Sequence, residues 1–375
     1  MLSFELKPDI LQKINELEEK LILANRLLEQ QPDDVVAEIH RYARISMVGA
    51  STRIENAQLT DPEVSWLDTQ LTEDGKVTAY DSQKAVIKDK LSKDRERSIE
   101  EVAGCRAMLI YIYQNAKELK PLRETDIRML HHQLMEIHLK KSPYVGNYKI
   151  QPNSVVATNH SANSHRVVFQ TADPGPITQT AMRDLLDWYN QNLAAHTNPI
   201  ASASEFVFRF LAIHPFQDGN GRLGRGLFLL ALLQSNNKSL QHITPCLAID
   251  RQIEKHKEEY YFVLNRCSSG KFSADSKQYH IEYFLLYMLK ILSKATDDIH
   301  HYLDKIKARN NLSESALSVM QCFNEYPEIR LTTKRIVEET QLPRRTVINA
   351  LNRLLKFNLI QKYGLGASTR YQITF

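Results

Sequence analysis

Residues 214–225 read His-Pro-Phe-Gln-Asp-Gly-Asn-Gly-Arg-Leu-Gly-Arg, and this stretch decides the fold and chemistry predicted for the chain. Gly219 and Gly221 flank Asn220, so the backbone can adopt positive φ and bring bare N–H groups close to an anion. Apolar residues at helical spacing follow through Leu233. A helix N-terminus is a favourable position for phosphate. The stretch therefore predicts a phosphate-binding loop that opens onto a helix.

Four charged or titratable side chains of this stretch suit a nucleotide. Arg222 and Arg225 are three residues apart, on one face of the first helical turn, where their guanidinium groups can hold phosphate oxygens bidentately. Asp218 offers a hard oxygen ligand for the Mg²⁺ that accompanies a polyphosphate. His214 ends an apolar run and is mostly neutral near pH 7, so it can accept a proton. The stretch combines a phosphate cradle, a metal ligand and a base.

The same residues match the Fic family signature HPFxDGNGRxxR at every fixed position, so the chain resembles a Fic protein. The resemblance implies a mainly α fold, a helical core with a β-hairpin flap over about residues 35 to 290. It also implies transfer of AMP from ATP, with Mg²⁺, to a Ser, Thr or Tyr hydroxyl of a target protein or of the chain itself. His214 would be the catalytic base. The nucleotide would be bound by the cradle and by an adenine pocket, which together comprise Asp218, Gly219, Asn220, Gly221, Arg222, Leu223, Gly224, Arg225, Tyr260 and Ser268.

Two other functions stay open at this stage. The cradle indicates a pyrophosphate more clearly than it indicates the group transferred, so removal of AMP or transfer of another phosphate-linked group, such as phosphocholine, fits the same residues. A nucleotide-responsive DNA-binding regulator is the second alternative, which the intact His214 disfavours.

A second motif lies in an N-terminal helical run, Ser51-Thr-Arg-Ile-Glu-Asn56. Ser51 and Glu55 are four residues apart and therefore share one helical face. The segment matches the inhibitory pattern Ser/Thr-x-x-x-Glu-Gly/Asn, and its N-terminal position resembles the second class of Fic proteins. By this resemblance Glu55 would pair with Arg225 in the place that an ATP γ-phosphate needs. The resemblance implies that the resting enzyme is restrained.

Between Tyr148 and Gln170 the apolar pattern changes from helical to strand-like. Short apolar runs at Val155 and Val167 flank a polar loop, as in a β-hairpin. Fic proteins have a flap hairpin at this place, whose edge strand pairs with the backbone of the target. The resemblance assigns the working strand to Val167, Val168, Phe169 and Gln170.

The tail from residue 313 onward has the predicted order of a winged helix, three helices followed by two short strands around a Gly-Leu-Gly turn. Residues 313–375 contain nine Lys or Arg against five Glu, a surplus of +4 that equals the surplus of the whole chain. The third helix, after Pro343, carries Arg344, Arg345 and Arg353 largely off its apolar face. Contact with DNA, and a role in dimerisation or target docking, both stay open.

Length and composition agree with an ordinary soluble protein of two or three domains, with 375 residues, 43% of them hydrophobic and 25% charged. No signal-peptide pattern or long apolar run is found, and the four cysteines are scattered without a CxxC pair. We therefore expect a cytoplasmic protein with no membrane contact. A homodimer stays open. We divide the chain into an N-terminal helical region that carries the inhibitory helix (1–100), a Fic catalytic core (101–292), a helical linker (293–312) and a winged-helix domain (313–375).

Overall fold

The structure, a computed structural model, describes residues 1–71, 77–91, 95–139, 142–159, 164–195 and 197–375. Its regular structure is mainly helical, as predicted, with two small antiparallel hairpins. The elements in chain order are α1 (Pro8–Glu29), α2 (Asp33–Ile54), α3 (Asp61–Gln70), α4 (Val77–Leu91), α5 (Glu96–Asn115), α6 (Glu124–Met135), β1 (Ser154–Asn159), β2 (Ser164–Gln170), α7 (Pro176–Ala194), α8 (Pro199–Ile213), α9 (Asn220–Gln234), α10 (Lys238–Ile243), α11 (Ile249–Lys255), α12 (Lys257–Ser268), α13 (Ile281–Asn310), α14 (Glu314–Glu325), α15 (Thr333–Thr340), α16 (Arg344–Lys356), β3 (Ile360–Tyr363) and β4 (Arg370–Ile373).

Helix α8 is the centre of the large hydrophobic core. It is buried around almost its whole circumference, including Glu205, and it packs against α7, α9 and α13. The Asn198 side chain caps its N-terminus by accepting hydrogen bonds from the N–H groups of Ile200 and Ala201. The helix ends where His214 adopts the left-handed conformation, with φ 52° and ψ 58°. Burial of α8 therefore fixes the position of the predicted base.

Helix α9 lies close to its neighbours because two of its glycines have no side chain. A Cβ atom at Gly224 would lie 2.9 Å from Leu211 Cδ2 in α8. A Cβ atom at Gly226 would lie 2.8 Å from Met108 Cε in α5. Through these contacts α9 packs closely on α8 and α5, which fixes the position of its N-terminus, where the cradle lies.

The N-terminal helices share this core with the region predicted to be the Fic core. One cluster of buried apolar side chains runs from Ile10 in α1 to Ile306 near the end of α13. Helix α13 is continuous for 30 residues, so the predicted linker 293–312 is largely the C-terminal part of a packed helix. The same core crosses residues 100 and 292, where the sequence predicted domain boundaries.

The tail forms a second, smaller core from α14, α15, α16 and the β3–β4 hairpin. The hairpin pairs Ile360 with Ile373 and Tyr363 with Arg370. This is the order of elements predicted from the sequence. The tail contacts the large core through the last residue, because the ring centroid of Phe375 lies 5.1 Å from that of Tyr42 in α2.

Two further expectations can be compared with the fold. The four scattered cysteines form no disulfide with one another, and all four are buried. In the part of the chain that the structure describes, none of the helices combines the length and the apolar character needed to cross a membrane.

Candidate active site

A cavity of about 240 Å³ lies where the C-terminus of α2, the N-terminus of α9, strand β1 and helix α12 meet. Its lining includes side chains from both sequence motifs, from strand β1 and from helix α12. They are Glu55, Val155, His214, Asp218, Arg225 and Tyr261. The structure therefore brings residues from distant parts of the chain to one site.

The loop that precedes α9 is held by its own side chains. Gly219 has φ +80°, and a Cβ atom there would lie 2.8 Å from Met135 Sδ. A larger residue is therefore disfavoured both by the backbone conformation and by the close contact. The Asn220 side chain accepts a hydrogen bond from Phe216 N at 2.9 Å and donates one to Phe216 O at 2.7 Å. Its amide is thus committed to the loop, and only its backbone N–H faces a ligand. Asn220 lines the cavity, so its predicted contact with phosphate would be made through this N–H group.

The open anion site is the first turn of α9 itself. Leu223 N donates to Gly219 O, so the N–H groups of the three residues between them are the ones left without an intrahelical acceptor. A Cβ atom at Gly221 would overlap the Glu55 carboxylate, which places that carboxylate directly over the turn. The cradle therefore already receives one anionic group, supplied by the chain.

His214 is a neutral imidazole with one nitrogen directed at the cavity. Its Nδ1 lies 3.2 Å from Leu211 O, and because a carbonyl only accepts, Nδ1 carries the proton and Nε2 carries the lone pair. Burial, and next the charge of Lys149, lower the pKa of His214 to about 4. The imidazole is therefore deprotonated at neutral pH and available as a base.

Lys149 is a residue that the sequence reasoning missed. Its ammonium donates to Ile213 O at 3.1 Å, Asn153 Oδ1 at 2.8 Å and Thr171 Oγ1 at 2.9 Å. These partners are the end of α8 and the two roots of the β1–β2 hairpin. Burial lowers the pKa of Lys149 to about 8. The buried ammonium ties the hairpin to the residue before the base.

His131 in α6 is the second missed residue. Its Nδ1 accepts from Gly146 N at 3.0 Å, so the protonated Nε2 donates to Asp218 O, also at 3.0 Å. The ring stacks on Phe216 with centroids 3.8 Å apart and planes within 4°. Burial lowers the pKa of His131 to about 4. His131 and the fully buried Phe216 pack beneath the cradle loop and support it.

Arg225 connects the cradle to the N-terminal motif. Its Nη2 lies 3.1 Å from Glu55 Oε1 and 2.8 Å from Ser51 O, and its Nε donates to Ser51 Oγ at 3.1 Å. Burial acts to lower the pKa of Arg225, but the carboxylates of Glu55 and Asp250 raise it overall. The predicted pairing of Glu55 with Arg225 is present in the structure, and Ser51 adds two further contacts to the guanidinium. Asn56, the last residue of the motif, has φ +74°, a conformation that favours Gly or Asn.

Asp250, in the first turn of α11, completes this arrangement and was also missed. Its Oδ2 lies 3.3 Å from Arg225 Nε. Burial raises the pKa of Asp250. Arg225 therefore keeps a buried carboxylate partner that is independent of Glu55.

The end of α2 is anchored on both sides of Glu55. Arg53 donates to both carboxylate oxygens of Glu254, at 2.7 and 2.9 Å, and to Asp61 Oδ1 at 2.7 Å. Lys257 Nζ donates to Ile54 O at 2.6 Å. These bonds hold the backbone that presents Glu55 to the cradle.

Asp218 and Arg222 lie at the other edge of the site. Burial acts to raise the pKa of Asp218, but Arg222 and the Gly219 N–H lower it overall, so the carboxylate is charged and half exposed. This carboxylate is suited to act as a Mg²⁺ ligand. Among the described residues, no cluster of three or more His, Cys, Asp or Glu could hold a metal by itself. Arg222 is buried beside Asp218 at 3.5 Å and Glu101 at 4.0 Å and does not line the cavity.

Three of the predicted nucleotide-binding residues have packing roles instead. Leu223 is fully buried, and Gly224 is the close contact with α8 described above. The Ser268 hydroxyl donates to Leu264 O at 3.0 Å and accepts from Gly270 N at 3.1 Å, so it closes α12 outside the cavity lining. Tyr260 does line the cavity, together with its neighbour Tyr261. Burial raises the pKa of Tyr260 to about 12, so its hydroxyl stays protonated.

The strand of the hairpin that faces the site is β1, whereas β2 was predicted. Strands β1 and β2 pair from Ser154 with Gln170 to Asn159 with Ser164, and β1 is the strand that lines the cavity. Along β2, Val168 O accepts from Asn265 Nδ2 at 2.7 Å, and Gln170 pairs with the segment 270–272. The assignment of Val167–Gln170 as the working edge is therefore corrected, because its outward groups at 168 and 170 already have partners. The loop at 160–163 is outside the described residues.

The chain is similar to known proteins over residues that include the cradle loop. The model of the Fic/DOC family matches residues 121–232. A protein adenylyltransferase, fic-1, of Caenorhabditis elegans is 35% identical over 54 residues, 14% of this chain and 11% of the relative. The fic-1 protein of Caenorhabditis briggsae is 31% identical over 91 residues, 19% of this chain and 18% of the relative. The matches thus span less than a fifth of these relatives.

Solved structures share the fold at low sequence identity. A Fic family protein from Desulfovibrio desulfuricans aligns with a TM-score of 0.57 and 22% identity over 100% of this chain and 98% of that chain. A signaling protein with a Fic domain from Bacteroides thetaiotaomicron also gives a TM-score of 0.57 and 22% identity, over 78% of this chain and 97% of that chain. Residues 121–232 of this chain, which contain His214 and the cradle loop, therefore match the Fic/DOC family, and the chain shares its fold with solved Fic proteins.

Proposed function

We propose that the protein transfers AMP from ATP to a hydroxyl side chain of a target protein. The observation that carries the proposal is the position of a neutral imidazole, with its Nε2 lone pair free, beside the open N-terminus of α9 in one cavity. A base and an anion site in one cavity suit attack of a hydroxyl on a nucleotide phosphate. The low pKa of His214, about 4, keeps the base available throughout the neutral range.

In the proposed reaction His214 Nε2 takes the proton of a Ser, Thr or Tyr hydroxyl. The hydroxyl oxygen forms a bond to the α-phosphorus, the bond from that phosphorus to the bridging oxygen breaks, and pyrophosphate leaves. The backbone N–H groups at 220–222 and the α9 dipole face the negative charge on the phosphates. Arg225 would hold the terminal phosphate bidentately. Most of the rate enhancement would come from positioning and charge stabilisation.

Asp218 is the residue that would hold Mg²⁺. Its charged, half-exposed carboxylate faces the cavity, and a metal held by one carboxylate and the substrate phosphates matches the coordination habits of Mg²⁺. Such an ion supplies charge neutralisation to the pyrophosphate. The His131 bond to the Asp218 carbonyl keeps this residue at the edge of the cradle.

Glu55 is proposed to restrain the enzyme. Its carboxylate lies over Gly221 and bonds to Arg225, so it uses both the space and the cation that a terminal phosphate requires. The anchors at Arg53 and Lys257 keep it there. ATP would then bind productively only after this carboxylate has moved.

The target is proposed to approach along the outer edge of β1. Residues 154–156 of this strand face the cavity that contains His214. An extended segment of the target that adds to this edge would bring its hydroxyl to the base. Lys149 would hold the hairpin in register with His214.

The position of the label in ATP tests the reaction type. We expect a Glu55→Gly variant with Mg²⁺ to become labelled by ATP carrying the label on the α-phosphate, and not by ATP carrying it on the γ-phosphate. Label from the γ-phosphate would contradict AMP transfer and indicate a kinase. Competition by UTP, GTP and CDP-choline tests the donor, and stronger inhibition by any of them than by unlabelled ATP would assign another nucleotide.

Removal of AMP is the alternative that one observation favours. Glu55 is a partly exposed carboxylate in the cavity, where it could orient a water molecule for attack on a phosphodiester. A purified AMP-modified variant distinguishes the two directions. Release of AMP by the wild type, with no addition by Glu55→Gly, would assign removal in place of transfer.

A further inference from the structure

Helix α16 exposes a face that is basic and contains no acid. Its buried side is apolar and packs on α14 and α15 through Val347, Leu351 and Leu354. The side chains exposed to solvent are Arg344, Arg345, Ile348, Asn349, Asn352, Arg353 and Lys356. The sequence of α16 has four basic residues and no Asp or Glu.

The acids of the tail domain are placed elsewhere. Glu338 and Glu339 pair with Lys334 and Arg335 within α15, at 3.7 and 3.6 Å. Glu328 lies 3.9 Å from Lys90, on the side that faces the large core. Among the described residues, the basic side chains of α16 form no ion pair with a carboxylate. The positive surplus of the domain is therefore concentrated on one helix face.

This face points away from the catalytic core. The tail meets the core through Tyr326, which lies under Lys90 with 3.9 Å from Nζ to the ring centroid, and through Phe375 on α2. Both contacts are on the α14 and β4 side of the domain. The exposed face of α16 is therefore accessible while the tail is docked.

The surroundings of α16 suit a double helix of nucleic acid. Helix α15 is joined to α16 by residues 341–343, with Gln341 at φ 56°, which forms a helix-turn-helix. Helix α16 has 13 residues, which corresponds to a length of about 20 Å. A major groove about 12 Å wide accepts such a helix. Beside it, the β3–β4 hairpin carries the exposed Lys362.

The chemistry of the face favours nucleic acid over a protein partner. Ile348, at 40% exposure, is the one large apolar side chain of α16 that stands well out of the core, so the face has no apolar centre of the kind a protein interface buries. Its amides, Asn349 and Asn352, are groups that read base edges, and its guanidinium groups match phosphates. Apolar contact of Ile348 with a thymine methyl group fits the same groove.

From this arrangement we propose that the exposed face of α16 and the adjacent hairpin bind duplex DNA, with α16 in the major groove. This function does not depend on the proposed AMP transfer. The arginines would neutralise phosphates, and affinity would fall with salt because condensed counterions are released on binding. Each phosphate contact contributes a slope of about −0.9 to log K against log salt.

The test uses the full-length protein and a fluorescent mixed-sequence duplex, with polarisation measured over a salt series and no nucleotide present. We compare Arg344→Gln/Arg345→Gln with the matched pair Lys334→Gln/Arg335→Gln, which removes the same charge from α15, where both residues already pair with glutamates. If both arginines contact phosphate, the first pair reduces the slope by about 1.8 and weakens binding on the order of 10- to 100-fold near 0.1 M salt. The control pair changes binding by less than about threefold.

Circular dichroism and thermal unfolding establish that both variants are folded; Arg344, Arg345 and Lys334 are exposed, and Arg335 is partly buried over the Tyr326 ring. Absence of salt-dependent binding by the wild type would overturn the proposal, as would equal losses for the two variant pairs. Binding of a single strand of the same sequence as tightly as the duplex would overturn the placement of α16 in a groove. None of these outcomes depends on AMP transfer, so failure here is distinguishable from failure of the proposed reaction.

Discussion

Replacement of Glu55 by glycine is the perturbation whose effect can be worked out most completely. The change removes the carboxylate that lies over Gly221 and the 3.1 Å bond to Arg225. Arg225 keeps its bonds to Ser51 and the buried carboxylate of Asp250, so the guanidinium is not left unpaired. We therefore expect the folded state to tolerate the substitution.

The magnitude follows from the contact that ATP must otherwise break. A hydrogen bond to a charged group contributes about 1.5–3 kcal/mol. The Arg225 side chain is 3% exposed but the Glu55 side chain is 33% exposed, so the lower end of that range applies. About 1.4 kcal/mol corresponds to a factor of ten. We expect automodification at subsaturating ATP to rise about tenfold or more in Glu55→Gly.

The assay is the initial rate of AMP incorporation as a function of ATP concentration, with Glu55→Gln as the matched control. Glutamine keeps the volume and an acceptor oxygen but loses the charge, so its rate should lie between those of the wild type and the glycine variant. Thermal unfolding of all three proteins controls for stability. Equal rates in the three proteins, or a lower rate in Glu55→Gly, would refute the account of restraint.

Three further predictions test the supporting residues. Because the pKa of His214 is about 4, its neutral base form should persist to well below pH 6. As the pH is lowered, the rate of AMP incorporation by Glu55→Gly should therefore fall only near pH 4. A midpoint near 6.5, the ordinary pKa of histidine, would contradict the buried environment of His214. Lys149→Met removes a charge that lowers the pKa of His214, so the acid limb of the pH profile should move to higher pH and the rate should drop roughly tenfold through loss of positioning; an unchanged profile would remove Lys149 from the site. Gly221→Ala, made in the Glu55→Gly protein, places a methyl group where the anion lies and should lower incorporation by at least about tenfold, with ATP binding measured by calorimetry; undiminished binding would show that phosphates lie elsewhere.

The contiguous part of the site could be predicted from the sequence because its residues share one loop and one helix turn. His214, Gly221 and Arg225 lie at the cavity as their spacing indicates. Glu55 could be placed only because a second short motif points to the first. Both predictions depend on local geometry, which a short run of residues specifies.

The residues that hold these groups in place give no local signal. Asp250 and His131 are single polar residues on ordinary helices, and only the packing of α11 and α6 brings them to Arg225 and Asp218. Lys149 likewise belongs to no recognisable sequence motif, and only the folded structure shows that it is buried. Their roles depend on contacts between elements far apart in the chain, which periodicity does not encode.

The same reason explains the corrected assignments. Helix α12 determines which edge of the hairpin is open, because Asn265 in α12 donates a hydrogen bond to the carbonyl of Val168 in β2. The side on which a residue of α9 points depends on its neighbours, so Leu223 and Gly224 face the core although they lie within the motif. Motif membership identified the loop correctly, but the direction of each side chain required the packed structure.

The central claim is tested most directly by incubating the wild type, Glu55→Gly and Glu55→Gly/His214→Ala with Mg²⁺ and ATP labelled at the α-phosphate. ATP binding by each protein is measured in parallel, because the loss of an imidazole that acts only as a base should leave it nearly unchanged. The account predicts strong label on Glu55→Gly, weak label on the wild type and none on the double variant. Label on the double variant equal to that on Glu55→Gly, or no label on any of the three with ATP still bound, would contradict it.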